Sequence, residues 1–183
     1  MKARTIISTV TAFTLTLTVV LLPAGPAAAD TALGDCYHST APQHQDPAPW
    51  PAPGSRQTTW SSPISIIRSD AFRVTAQGSV QIDRWGTTKS IAGELPVAPT
   101  TGGWPAPGAP RYALIARVTT GSMWVKKTSR EYGSSSWFPV GTDSDCMLFS
   151  SSGGPVPQLV FTFNDNNLGD NSGGAGVVVR QWF

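Results

Sequence analysis

The sequence is poor in charge, in cysteine and in histidine. Only 13% of its 183 residues are Asp, Glu, Lys or Arg, and it has two histidines and two cysteines. Cys36 and Cys146 alone make half a zinc site at most. In an oxidising compartment they are expected to form one disulfide. That bond would close a loop of about 110 residues and contribute on the order of 4 kcal/mol through the lost entropy of the unfolded chain. Both histidines, His38 and His44, fall in a proline-rich stretch, away from any catalytic triad, and are read as solvated. Thirteen Lys and Arg become eleven once Lys2 and Arg4 are set aside, against eleven acids that all follow residue 29. A chain so nearly neutral presents no basic face for nucleic acid or anionic lipid. No segment sustains apolar spacing at i, i+3, i+4 and i+7, so long amphipathic helices are not expected.

What is present begins with an export pattern. Lys2 and Arg4 precede an uncharged run from Thr5 to Leu22, broken by Pro23 and Gly25 and followed by Ala27, Ala28 and Ala29. This is the order of a cleavable secretory signal over residues 1–29, which predicts a secreted, extracellular protein. No Cys follows the alanines for lipid attachment. No later run is long and apolar enough to span a bilayer, so the mature form is expected to have no membrane span. Residues 30–56 read as a proline-rich N-terminal arm. Pro42, Pro47, Pro49, Pro51 and Pro53 lack N–H donors, so regular structure is not expected over 30–54 apart from the anchor at Cys36.

Residues 57–183 read as one domain. Short β-branched and aromatic runs separated by Gly, Ser and Pro recur at QTTWSSPISII, AFRVTAQ, SVQID, RYALIARVTT, SMWVKKT, SWFPV, CMLFS, QLVFTFND and GAGVVVRQWF. The spacing predicts an all-β fold, an antiparallel β-sandwich or jelly roll. Alternation puts Val80 and Ile82 on one face of their strand, and Leu159, Phe161 and Phe163 on the core face of theirs, opposite Val160, Thr162 and Asn164.

One segment carries chemistry. In FNDNNLGDNSGG, residues 163–174, six of the first ten residues are Asn or Asp. Asp165 and Asp170 bring charge, while Asn164, Asn166, Asn167 and Asn171 bring neutral oxygens. Gly169, Gly173 and Gly174 permit tight turns. Hard oxygens on such a loop suit Ca²⁺, which takes about 6–8 oxygen ligands; the same residues also make an ordinary polar turn. An EF-hand is excluded, because counting from Asp165 puts Asp170 where Gly is needed and Gly176 where Glu is needed. In GDNSGG, Asn171 interrupts the Gly-Asp-Ser-Gly-Gly of serine proteases. Asp83, Glu94 and Glu131 are scattered, and nothing in the sequence brings two of them to a glycosidase separation. The chain is therefore read as non-enzymatic.

From about residue 57 to 182 the chain resembles the bacterial galactophilic lectins, small calcium-dependent β-sandwiches of galactose-binding-domain-like type. AFRVTAQGSVQID, YALIARVTTGSMWVKKTS and LVFTFNDNNLGDNSGGAGVVV carry the likeness. The resemblance implies a secreted, lectin-like carbohydrate-binding protein with Ca²⁺ as cofactor. Asp165, Asp170 and Asn171 would bind the ion through side-chain oxygens. A backbone carbonyl of Leu168 or Asn167 would join them, with a second from Ile82 or a neighbour. Two hydroxyls of a galactose-like sugar would complete the shell against Asp165, Asp170 and Asn171. The lectins also use a His and a Gln from a long loop. The corresponding stretch here, ELPVAPTTGGWPAPGAP, has neither, and offers Trp104 as a ring for stacking or as a cover for the sandwich edge. The alternative function is an extracellular interaction module in which calcium is purely structural.

Overall fold

The computed structural model describes residues 31–150 and 155–183; the predicted signal, residues 1–29, lies outside the described residues. The chain folds as an all-β sandwich of antiparallel sheets, in agreement with the spacing of its strand-like runs. In chain order the elements are helix α1 (Ala32–His38), β1 (His44–Gln45), β2 (Trp50–Pro53), β3 (Thr58–Trp60), β4 (Ala71–Gln81), β5 (Thr88–Ser90), β6 (Glu94–Val97), β7 (Pro110–Arg111), β8 (Leu114–Val118), β9 (Ser122–Val125), β10 (Arg130–Gly133), β11 (Phe138–Pro139), β12 (Asp143–Ser150), β13 (Leu159–Phe163) and β14 (Ser172–Trp182). The larger sheet runs β1-β14-β4-β12-β9-β10, with β2 beside β14 and β5 beside β4. The smaller runs β11-β8-β13-β3, and β6 pairs with β7.

The period of two along each strand decides what lies between the sheets. Phe72, Val74 and Val80 of β4, and Val177 and Val179 of β14, face Leu114, Leu159, Phe161 and Phe163 of the smaller sheet in one buried cluster, with Trp60, Met147 and Phe149. Ile82 packs against the same cluster, on the side of Val80. Strand β13 departs from a simple two-faced pattern: Val160, Thr162 and Asn164 on its other face are buried too. At Asn164 the cover is a Pro- and Gly-rich strap reaching to Pro110.

The N-terminal segment differs from its predicted lack of regular structure. Thr31 caps α1 by accepting the Gly34 N–H. Cys36, joined to Cys146 in a disulfide, is buried with Ala71 and Trp182. Strands β1 and β2 add to the edge of the larger sheet against β14. The register explains why proline is tolerated there. Gly54 N donates to Gly173 O at 2.8 Å, so Trp50, Ala52 and Gly54 turn their N–H groups to β14, while Pro51 and Pro53 fall at the alternate positions facing solvent. His44 is not simply solvated either. It bonds Asp46, whose carboxylate also accepts the Trp60 indole N–H and the Val179 N–H. Among the described residues no helix is long and apolar enough to cross a membrane.

Candidate functional site

The acidic segment joins β13 to β14 at one end of the sandwich. The ladder of β13 against β8 ends at Phe163, and Asn164 continues it by donating its N–H to Ala113 O at 2.8 Å. The next residue, Asp165, starts a turn: its Oδ1 accepts the Asn167 N–H at 3.0 Å. A short 3-10 turn, Leu168–Asp170, follows, and Asn167 Nδ2 reaches Asp170 Oδ2 at 2.7 Å, bridging the two acids. Asn171 closes the turn onto Leu168 O at 3.3 Å, and Ser172 pairs with Gln81 to begin β14. Gly54, from the end of β2, packs so closely here that a Cβ would lie 2.6 Å from Ser172 O, and its carbonyl accepts Asn171 Nδ2 at 3.4 Å.

These contacts bury Asp165 and Asn171 to 5% and 6% exposure and leave one oxygen on each without a partner. Among the described residues, Asp165 Oδ2 and Asn171 Oδ1 receive no hydrogen bond and Asp165 has no ion pair. A buried acceptor left unpaired costs about 1–3 kcal/mol, more when charged. Each of these oxygens, six residues apart on one loop, has acceptor capacity that a hard cation or a donor group could use. Asp170 stays exposed at the rim. Among the described residues no three His, Cys, Asp or Glu side chains cluster to hold a metal, so a cation here would depend on two carboxylates supplemented by amide and carbonyl oxygens.

The other predicted residues lie around this loop to different degrees. Leu168 is within it, and its carbonyl already accepts the Asn171 N–H while its side chain packs against the core. Ile82 lies one residue beyond Gln81, the register partner of Ser172. Trp104 comes to the rim: its indole Nε1 and the Asn166 amide both lie within 4 Å of where a Gly102 Cβ would stand. The Trp104 ring is half-buried, meets Tyr112 edge-on at 5.7 Å and lies 5.5 Å from the Arg111 guanidinium.

Two residues of the rim were not read from the sequence. Tyr112 sits at φ 62° with its N–H on Asn164 O, a left-handed backbone conformation that costs energy for a side-chain-bearing residue. Burial, reinforced by the Asp165 and Glu94 carboxylates, pushes its phenol up. Gly54 is the second, brought in only because the N-terminal segment joins the sheet. Neither had a signal in the sequence: a Tyr in a strand-like run and a Gly after prolines are unremarkable. The scattered acids are occupied elsewhere. Asp83 accepts the Trp85 and Thr87 N–H groups, Glu94 pairs with Lys89 at 2.8 Å, and Glu131 accepts the Ser122 hydroxyl. No protein-family model matches the chain, and no curated protein matches it at a significant level.

Proposed function

We propose that the protein is a secreted, calcium-binding, lectin-like carbohydrate-binding protein without catalytic activity, with its site on the Asp165–Asn171 loop. The observation that carries this is the pair of buried oxygens, Asp165 Oδ2 and Asn171 Oδ1, without a partner among the described residues, on a loop where Asn167 bonds both Asp165 and Asp170. Calcium bound there would satisfy both, with Asp170 and the carbonyls of Leu168 or Asn167 and of Ile82 as the further donors the loop offers. The protein's own residues then do three things. Asn167 spaces the two acids, Gly54 fixes Asn171 through its carbonyl, and Trp104 comes to the loop at Asn166. A sugar offering vicinal hydroxyls and an apolar C–H face suits that combination of oxygen-bound ion and half-exposed ring. With no His or Gln in residues 94–110, selectivity for galactose would be weaker than in the lectins.

The deep burial of Asp165 and Asn171, and the tie to Gly54, also favour a second reading, in which the ion only staples β13, β14 and the segment after β2. One pair of measurements tests both. Calcium at a hundredfold excess over its Kd adds about 2.7 kcal/mol to stability, so the melting temperature should rise with calcium and fall with chelator. Asp165→Ala should abolish that response. A glycan array, with calcium and with chelator, should show binding in calcium alone. Identical melting curves with and without calcium would remove the site. A calcium response with no glycan bound would select the structural module.

A further inference from the structure

Away from the acidic loop, the edges of the two sheets leave a cleft of about 300 Å³ between β10, β11 and residues 106–110 of the strap. Thr128, Arg130, Tyr132, Trp137 and Pro139 line it together with the strap. Both rings are held in place. Tyr132 donates its hydroxyl to Thr128 Oγ1 at 3.2 Å and meets Phe138 edge-on at 5.8 Å. Arg117 lies 5.2 Å from the centre of the Trp137 ring, fixed by a bond to Ser134 O. Both rings remain half-exposed.

The charge here is of one sign. Arg130 lies 5.6 Å from the centre of the Tyr132 ring, and neither it nor Arg117 has a carboxylate within ion-pair distance among the described residues. The acid next to Arg130 in sequence, Glu131, is turned to the opposite face of β10 by strand alternation and accepts the Ser122 hydroxyl there. We propose that this cleft binds acidic saccharides, a pyranose seating its C–H face on Trp137 and Tyr132 while its carboxylate pairs with Arg130. The volume is that of a small-ligand pocket, and immobilised rings lose little entropy on binding. A guanidinium matches a carboxylate through two parallel hydrogen bonds. A proline-rich peptide would find the same rings and prolines but would leave the guanidinium unused, so the charge favours the acidic sugar.

Titration calorimetry of the intact protein with tetragalacturonate, run in chelator, tests this without involving the acidic loop. Binding is expected in the parent protein and unchanged in Asp165→Ala. It should weaken at least tenfold in Arg130→Gln, in Trp137→Ala, and with the fully methyl-esterified tetramer. Arg130 is exposed and its side chain makes no hydrogen bond among the described residues, so its variant reads recognition rather than folding; a melting curve checks the Trp137 variant. Absence of binding in chelator, including binding that returns with calcium, overturns the proposal. Affinity undiminished by Arg130→Gln overturns it as well, as does equal affinity for decaproline.

Discussion

Among the run of Asn and Asp from 164 to 171, Asn164 serves a different purpose from its neighbours. Its Oδ1 accepts the Ala106 N–H at 2.9 Å, and its Nδ2 faces the carbonyls of Ala106, Ala109 and Pro110 at 3.0, 3.3 and 3.0 Å. With no exposed surface, this one amide clips the strap onto the end of β13. Composition counts Asn164 as one more oxygen for a cation. Alternation along LVFTFN, which turns it away from Phe163, hints that it faces the other way, but the sequence does not show that a strap lies there to receive it. Asn164→Ala leaves the Ala106 N–H and the strap carbonyls without their partner. With about 1–3 kcal/mol for each buried group left unsatisfied, partly relieved by water, a loss of about 2–4 kcal/mol is expected. Denaturant unfolding measures it. The strap also carries Trp104, so glycan binding should weaken while the rise of melting temperature with calcium persists. A loss under about 0.5 kcal/mol, the range of an ordinary surface change, would show that the clip is not structural.

At the scale of elements, the strands that read clearly are those whose two faces differ. AFRVTAQGSVQ and GAGVVVRQW alternate, and β4 and β14 form the centre of the larger sheet. QTTWSSPISII yields only β3, because Pro63 lacks a ladder donor, and the rest of the run is spent on side-chain contacts such as Ser62 with Gln181. The proline-rich segment misleads for the opposite reason. Five prolines in twelve positions argue against a ladder when counted, but β2 sits at an edge, and Pro51 and Pro53 occupy only positions whose N–H would point to solvent. Parity, not number, decides. Ala52→Pro, at the intervening position, removes a ladder donor and should cost about 3 kcal/mol or more. Pro51→Ala removes nothing and should change stability by less than about 1 kcal/mol. Hydrogen exchange at Gly173, Ala175 and Val177, the β14 residues whose N–H groups face this strand, should speed up in the first variant and not in the second. Equal effects would refute the register argument. The same register brings Gly54 to Asn171, so a reading that leaves the arm loose also loses part of the candidate site.

At the scale of the whole molecule, the two ends of the described chain close one side of the sandwich. β1 and β2 pair with β14, α1 packs over Ala71 and Trp182, and the Trp182 indole donates to Thr40 O at 3.1 Å. The Cys36–Cys146 disulfide fastens the same region across 110 residues of sequence. These contacts act on the folded state, whereas the disulfide acts chiefly on the unfolded one, by forbidding the expanded conformations of a long loop. The chain-entropy relation gives about 4–5 kcal/mol for a loop of this length. The ladders of β1 and β2 with β14 do not include the bond, so Cys36→Ala/Cys146→Ala should still fold. For a domain of this size each 1 kcal/mol is worth about 2–4 °C, which places the melting temperature of the double variant about 10–20 °C below that of the parent. The loss should not be uniform. α1 is only seven residues long and depends on the cluster around Cys36, so its amides should exchange near the unfolded rate in the variant. β14 should stay protected by β4. Melting curves of the two proteins, with hydrogen exchange on each, decide the matter. A melting temperature within about 2 °C of the parent would mean that the folded contacts alone hold the ends. Equal loss of protection in α1 and β14 would mean that the disulfide supports the sandwich itself and not its closing flap.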